Sequence, residues 1–355
     1  MDDLRAEFPV FERFAYLNAG SNGPVPQRAL GAAQQSMQRQ AVEGRGDKAA
    51  FEENGRRIDA LRERISALLG CSAAEVALTG STTDGVNAVL NALDLGPGDE
   101  VLTSDEEHPG VLAPLAALRE RRGVEVRVVP FSRLAAEVRA TTSLVACSHI
   151  SWRTGAVVDS AALADAAALV LLDGAQGLGA VPTSVADLGC DFYAASGQKW
   201  LCGPNGLGYL YVRGRLATEL PAPWPNYGVL ADSTRAFELD LHPDARRFAI
   251  GFPAPHQIEW ALAALDVLDA SGIDAIHARG AELADRLAEA LGGRLVPRGR
   301  STLVSWDDPD PEATVGRLYA EGIVVRNLPG SPYVRASVGA WSSEEELDRL
   351  LGAAL

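Results

Sequence analysis

The chain has 355 residues, 47% of them hydrophobic, a formal net charge of -15 at pH 7 and four cysteines. That length suits two domains, or one large domain with an appendage, and excludes a small recognition module. The acidic balance argues against a nucleic-acid backbone or an anionic membrane as partner, and the one basic run, "RERR" at 119–122, reads as the charged end of a helix before Gly123.

Along the chain, apolar β-branched runs alternate with helical patterns. The opening "MDDLRAEFPVF" lacks the basic and apolar regions of a secretory signal, and no window reaches the roughly 18 apolar residues of a membrane span, so the cytoplasm is the expected location. Buried strands are predicted at 75–80, 99–104, 124–131, 144–150, 168–176, 191–196 and 206–213, with crossover helices such as 110–122 and 160–168 between them. This is the pattern of a mainly parallel α/β sheet covered on both faces, whose site belongs at the carboxyl ends of the strands. After about residue 245 two helical patterns, 255–271 and 274–291, precede the strand-like "TLVSW", the helical "PEATVGRLYAEG" and the strands "GIVVRNL" and "YVRASVGA". The expected division is a large domain at 21–244 and a smaller α+β unit made of 1–20 with 245–355. The last helix is announced by Ser342 and Glu345 at capping-box spacing. Cys71, Cys147, Cys190 and Cys202 have no C-x-x-C spacing, which fits reduced thiols better than a disulfide frame or a zinc site, and no metal is expected.

Of the 32 Lys plus Arg residues only Lys48 and Lys199 are Lys. A chain that meets nearly every need for positive charge with Arg retains Lys where a primary amine is required, and an amine condenses with an aldehyde where a guanidinium does not. Lys199 in "AASGQKWLCGP" therefore suggests a Schiff base. A surface charge left by drift is the competing explanation, and the company of Lys199 decides between them.

Pyridoxal phosphate needs a carboxylate for its ring nitrogen, an anion cradle for its phosphate and a flat group against its ring. Asp173 follows the apolar run "ALVLL", where it either serves the ring nitrogen or caps the next helix, and Gln176 stands within reach of a ring oxygen. "GSTT" at 80–83 lies between a strand and a helix, either as a phosphate cradle or as an ordinary hydroxyl cap, and it matches neither a Walker loop nor G-x-G-x-x-G. His108 in "DEEHPG" either lies flat on a ring or bonds within its loop.

Together these motifs resemble the class V aminotransferase group of fold type I pyridoxal phosphate enzymes, which includes cysteine desulfurases and the cysteine or cystine C–S lyases. The likeness runs from "YLNAGSNGPVP" to "VRASVGAWSSEEELDRLL", and "LLDGAQGLGAVPTSVADLGCDFYAASGQKWLCGPNGLGYLYVR" carries the most specific part. The resemblance implies that Lys199 is the Schiff-base lysine, Asp173 the partner of the ring nitrogen and Gln176 that of the ring oxygen. It places Ser81, Thr82, Ser196 and Gln198 at the phosphate, His108 on the ring and Arg335 at the substrate's α-carboxylate. It implies a homodimer acting on an amino acid.

The departures narrow the activity. Gln198 stands where the family often has His, Trp152 where it often has Asn, and Phe252 in "GFPAP" where a Thr commonly reaches the partner subunit's phosphate. "VVRNLPGSPYVRAS" has no cysteine and little room for the mobile loop on which a desulfurase carries its persulfide thiol. The expectation is a C–S lyase that eliminates sulfur from cysteine or a cysteine derivative, giving pyruvate and ammonia. An aminotransferase or an epimerase is the alternative, and a catalytically inactive binding protein of the same fold is a more distant one. Asn18, Asn22, Trp152, Tyr227 and Arg235 are the candidates for lining the substrate pocket.

Overall fold

The computed structural model describes residues 1–354. Its strands in chain order are β1 (Ala15–Tyr16), β2 (Val76–Thr79), β3 (Glu100–Ser104), β4 (Glu125–Val129), β5 (Thr142–Ser148), β6 (Leu169–Asp173), β7 (Phe192–Ser196), β8 (Gly208–Val212), β9 (Leu303–Asp307), β10 (Ile323–Val324), β11 (Arg326–Asn327) and β12 (Tyr333–Ser337). Its α-helices are α1 (Asp2–Ala6), α2 (Gln27–Glu43), α3 (Lys48–Leu69), α4 (Thr82–Ala92), α5 (Pro109–Arg122), α6 (Ser160–Ala164), α7 (Val185–Leu188), α8 (Gly214–Glu219), α9 (Pro255–Ser271), α10 (Ile273–Leu291), α11 (Pro311–Ala320) and α12 (Glu344–Ala354).

Seven strands form one sheet in the order β2-β8-β7-β6-β5-β3-β4, with β8 antiparallel to both neighbours and the rest parallel. All seven predicted strands enter it. Successive residues of a strand point to opposite faces, and both faces are buried. Thus Val170 and Leu172 of β6 join one core with α2, α3 and α9, while Leu171 joins the other with α4 and α5. This double coverage is why these strands read as continuous apolar runs rather than as alternation.

A third core gathers Ala15 and Leu17 with α10, α11, α12 and the three-stranded sheet β11-β12-β9. The N-terminal strand β1 pairs in parallel with β10, which ties residues 15–16 to this second body. Helix α9, expected with the smaller unit, packs instead against α2 and α3, and its Ile258, Ala261 and Leu265 share the large core.

Two local expectations change. Helix α6 stops at Ala164 rather than 168. The capping box of α12 sits one residue later than predicted: Ser343 Oγ accepts from Glu346 N–H and Glu346 Oε2 accepts from Ser343 N–H, whereas Ser342 Oγ is buried without a partner. Both S-x-x-E registers occur in "SSEEE", and the second wins because Glu346 also pairs with Arg5 at 2.9 Å, which fixes the helix start against α1.

Candidate active site

The carboxyl ends of β5, β6 and β7 and the amino end of α4 open into a cleft of about 240 Å³. Lys199 lines it from the turn after β7, held by Cys202 N–H donating to the Lys199 carbonyl and Gly203 N–H to that of Gly197. Cys202 adopts a positive φ of 54° to complete the turn. Burial lowers the Lys199 amine to about 8, against the pull of Asp173 and with the help of the Arg335 and Arg326 charges. Lys48, in contrast, is 90% exposed and pairs with Glu52 one helical turn away.

Asp173 is the last residue of β6, and its carboxylate accepts the Ala175 N–H at 2.9 Å. Burial raises its pKa, while Lys199 and that N–H pull it down. Asp173 thus closes a short turn rather than capping a helix, since none follows before Val185, and it lines the cleft. His108 caps α5 by accepting the Gly110 N–H, and its ring meets Trp152 edge-on with centroids 5.1 Å apart. Burial and the nearby cations lower the His108 ring to about 4, so it is neutral at physiological pH.

The hydroxyl cradle forms where α4 starts. Thr82 Oγ1 and Ser196 Oγ lie 2.5 Å apart, and Ser81 Oγ caps the helix at Asp84 N–H. Gly208 of β8 lets the Ser81 backbone lie against the sheet, since a Cβ there would come within 2.7 Å of it. At the other end Gln176 is clamped, with Nε2 donating to the Gly20 carbonyl and Oε1 accepting from Trp200 Nε1. Gly20 lies so close that a Cβ would meet Ser337 Oγ at 2.7 Å and Arg335 Nη2 and Gln176 Oε1 at 3.0 Å.

Arg335, 1% exposed, donates through Nη1 to the Trp152 carbonyl at 2.6 Å, while its Nε and Nη2 have no partner. Burial and the charge of Arg326 push its guanidinium down to about 9, still charged at neutral pH. A buried cation with two unmet donors is stable only when an anion joins it.

Among the expected residues, Lys199, Asp173, His108, Ser81, Thr82, Gln176, Ser196, Gln198, Trp152 and Arg335 all line the cleft. Asn18, Asn22, Tyr227 and Arg235 do not. Asn18 bridges to Ser337 through its backbone and its Oδ1 accepts from Ser21 Oγ; Asn22 is exposed; Tyr227 packs on Phe252 at the surface; Arg235 pairs with Glu238 and Asp240. Arg326 is a lining residue that the sequence reading passed over. It faces Arg335 across the β11–β12 ladder and donates to Ser21 Oγ at 3.1 Å. The signal was its position in "VVRNL", an Arg at the end of an apolar strand just before the short turn to Arg335.

The unpartnered Trp152 Nε1 and Arg335 donors, the hydroxyl cradle at a helix amino end and the lone amine opposite a carboxylate fit a small group that bears both an aldehyde and an anion. A mainly parallel seven-stranded sheet with this cleft at its strand ends is the fold type I frame of pyridoxal phosphate-dependent enzymes. The chain belongs to the aminotransferase class-V family, which matches residues 15–350, and it is a pyridoxal phosphate-dependent enzyme. It is 29% identical to a cysteine desulfurase of Serratia proteamaculans (strain 568), over 99% of this chain and 96% of that protein. The solved structure of the cystine C–S lyase C-DES with its reaction product cysteine persulfide superposes with a TM-score of 0.91 at 27% identity, covering 97% of this chain and 98% of that one. A mutant of C-DES with glycine covalently linked to its pyridoxal phosphate cofactor superposes at 0.92, also at 27% identity and with 98% of both chains covered.

Proposed function

We propose that the protein is a C–S lyase that eliminates sulfur from cysteine or a cysteine derivative, giving pyruvate, ammonia and a sulfur product that is never held on an enzyme thiol. The carrying observation is the absence of a thiol from the cleft. None of the four cysteines lines it, and only residues 328–332, without a cysteine, connect β11 to β12. Burial raises Cys71 and Cys190 to about 12 and Cys147 and Cys202 upward as well, so none offers a ready thiolate near neutral pH. The likeness to a cystine C–S lyase supports the same reading.

Pyridoxal phosphate, when bound, supplies the electron sink that makes an amino acid's α-proton removable. In this reading the Lys199 amine takes that proton from the substrate's α-carbon, and the sulfur departs from the β-carbon with the bonding electrons. Asp173 holds a proton on the ring nitrogen, and Gln176 turns its remaining amide proton to the ring oxygen. Ser81, Thr82, Ser196 and Gln198 hold the phosphate, and neutral His108 covers the ring without adding charge. Arg335 takes the α-carboxylate through its two free donors. Arg326, at the same end of the cleft, suits a second carboxylate, which favours a disulfide-linked amino acid such as cystine over cysteine.

A homodimer in the cytoplasm belongs to the same proposal. Tyr227, Phe237, Leu239, Ile250 and Phe252 are exposed, and Ile250 Cδ1 would lie 3.0 Å from a Cβ on Gly80 beside the hydroxyl cradle. A second copy covering this face would close the phosphate end without the hydroxyl that Phe252 replaces. The division at residue 245 is part of the proposal too, with α9 as the element that locks the two units. Among the described residues no helix is long and apolar enough to cross a membrane.

The test supplies L-cystine and L-cysteine to purified holoenzyme and measures pyruvate, alanine and keto acid exchange. Pyruvate with faster turnover of cystine is expected. Alanine as the main product overturns the lyase reading, keto acid exchange makes the enzyme an aminotransferase, and a racemised substrate makes it an epimerase.

A further inference from the structure

One buried carboxyl at the strand ends lies outside the residues assigned to the cofactor and substrate. Glu107, 3% exposed, sits between the ends of two parallel strands, with Ser104 Oγ of β3 2.5 Å from its Oε1 and Ser148 Oγ of β5 2.6 Å from its Oε2. Ser148 lines the cleft and stands directly opposite Asp173 in the β5–β6 register. His108 is the next residue in the chain. The charged and titratable groups whose fields couple to Glu107 are the Asp173 carboxylate and the Cys147 thiol; Lys199 acts on Asp173, and no cation acts on Glu107.

A carboxylate buried without a cation, in the field of a second carboxylate, ionises only at a cost, and the proton stays on the one with less support. Asp173 has the Lys199 charge and the Ala175 N–H, whereas Glu107 has two hydroxyls and the Ser148 backbone N–H but no cation. Burial raises Glu107 to about 7, opposed by the two serine hydroxyls and the Ser148 N–H and slightly reinforced by Asp173. The serines also decide which oxygen carries the proton. Ser104 Oγ already accepts the Glu106 N–H at 3.3 Å, whereas among the described residues Ser148 Oγ accepts from no other group, so Ser148 is the freer acceptor of the two. The acid proton then belongs on Oε2, facing Ser148.

We propose that Glu107 is a positioning residue that, as a neutral acid, donates to Ser148 Oγ, thereby turning the Ser148 hydroxyl proton into the cleft beside Asp173 and pinning the chain just before His108. An ionised Glu107 reverses the bond, because Ser148 then donates to it and offers the cleft only lone pairs. The neutral form dominates below the Glu107 pKa and is lost as pH rises through it. This inference rests on the pyridoxal phosphate cleft and not on the lyase reading, so it stands or falls separately from the choice of substrate.

The test compares Glu107→Gln, Glu107→Ala and Ser148→Ala, with circular dichroism melts to establish that each folds. A glutamine amide can donate to Ser148 at every pH, as the neutral acid does only while protonated. Equilibrium dialysis of cofactor-free protein against pyridoxal phosphate is expected to give Glu107→Gln an affinity within about threefold of the parent, and to weaken Glu107→Ala and Ser148→Ala about tenfold, the cost of one unmet buried hydrogen bond. In the holoenzyme the visible band shifts with pH as Glu107 ionises, and that transition is absent from Glu107→Gln. The infrared carbonyl stretch of a protonated carboxyl disappears in the same variant. Equal loss in Glu107→Gln and Glu107→Ala shows that the carboxylate is what matters and overturns the proposal, as does an unaltered spectral titration in Glu107→Gln or full affinity in Ser148→Ala. If Glu107→Ala does not fold, the other two variants decide.

Discussion

The strand ends of the large sheet and the β11–β12 hairpin both face the cleft, and they are built on opposite principles. At the strand ends the groups assigned to the ring and phosphate are already held by partners: Gln176 is clamped by Gly20 and Trp200, Asp173 by Ala175, Thr82 by Ser196. At the hairpin, Arg335 is buried with two donors unmet, and Arg326, of the same charge, faces it across the ladder. A region with its hydrogen bonds satisfied holds its geometry before anything binds. A region with unmet cationic donors gains most of its stabilisation only when an anion arrives. In the proposed reading the first sets the chemistry and the second the choice of substrate.

Variants that break this division have the largest effects. Lys199→Ala is expected to remove the visible absorption of the holoenzyme and to lower kcat by about a thousandfold or more with the fold intact. Borohydride reduction and peptide mapping check the same residue, and a label on Lys48 would sink the assignment. Asp173→Asn is expected to cost on the order of 3 kcal/mol in kcat while cofactor is largely retained, because an amide does not stabilise a ring cation. Normal turnover in that variant would remove Asp173 from the chemistry.

At the hairpin the expected signature lies in KM. Arg335→Lys keeps the charge but loses the planar fork, which predicts a loss of about 2–5 kcal/mol in kcat/KM carried mainly by KM, with the visible band unaltered. A matching fall in kcat alone would place Arg335 with the strand ends. Arg326→Gln is expected to raise KM for cystine about tenfold and for cysteine far less, and an equal rise for both would break the assignment of a second carboxylate.

Two milder tests sharpen the picture. Only the neutral amine condenses with an aldehyde, and the Lys199 amine is lowered to about 8. Uptake of pyridoxal phosphate by cofactor-free protein should therefore quicken as pH rises and level off above about 8, whereas a rate still climbing near the ordinary lysine pKa would mean that the amine is unperturbed. Replacing all four cysteines with Ser or Ala is expected to leave kcat within about threefold, with a lower melting temperature because Cys147, Cys190 and Cys202 are buried. Complete loss of turnover from a single folded Cys variant would reveal a sulfur carrier.

The amino-acid sequence alone disclosed the seven strands of the main sheet, the amine at Lys199, the carboxylate at Asp173 and the hydroxyl run at 81–82, because each is a local pattern: an apolar run and the residue at its end. It could not disclose pairings made across the fold. Arg326 enters the cleft only because an antiparallel register sets it opposite Arg335, and Glu107 meets Ser148 only because β3 and β5 lie side by side in the sheet. The capping box of α12 followed the same rule, since two equivalent registers in "SSEEE" were separated by Arg5, 341 positions away in the chain. Asn18, Tyr227 and Arg235 looked suitable by residue type, yet backbone pairing or surface packing turned them away from the cleft. Local chemistry is written in the order of residues; which side chains share a cavity depends on contacts between segments far apart in the chain, and only the packed structure sets those.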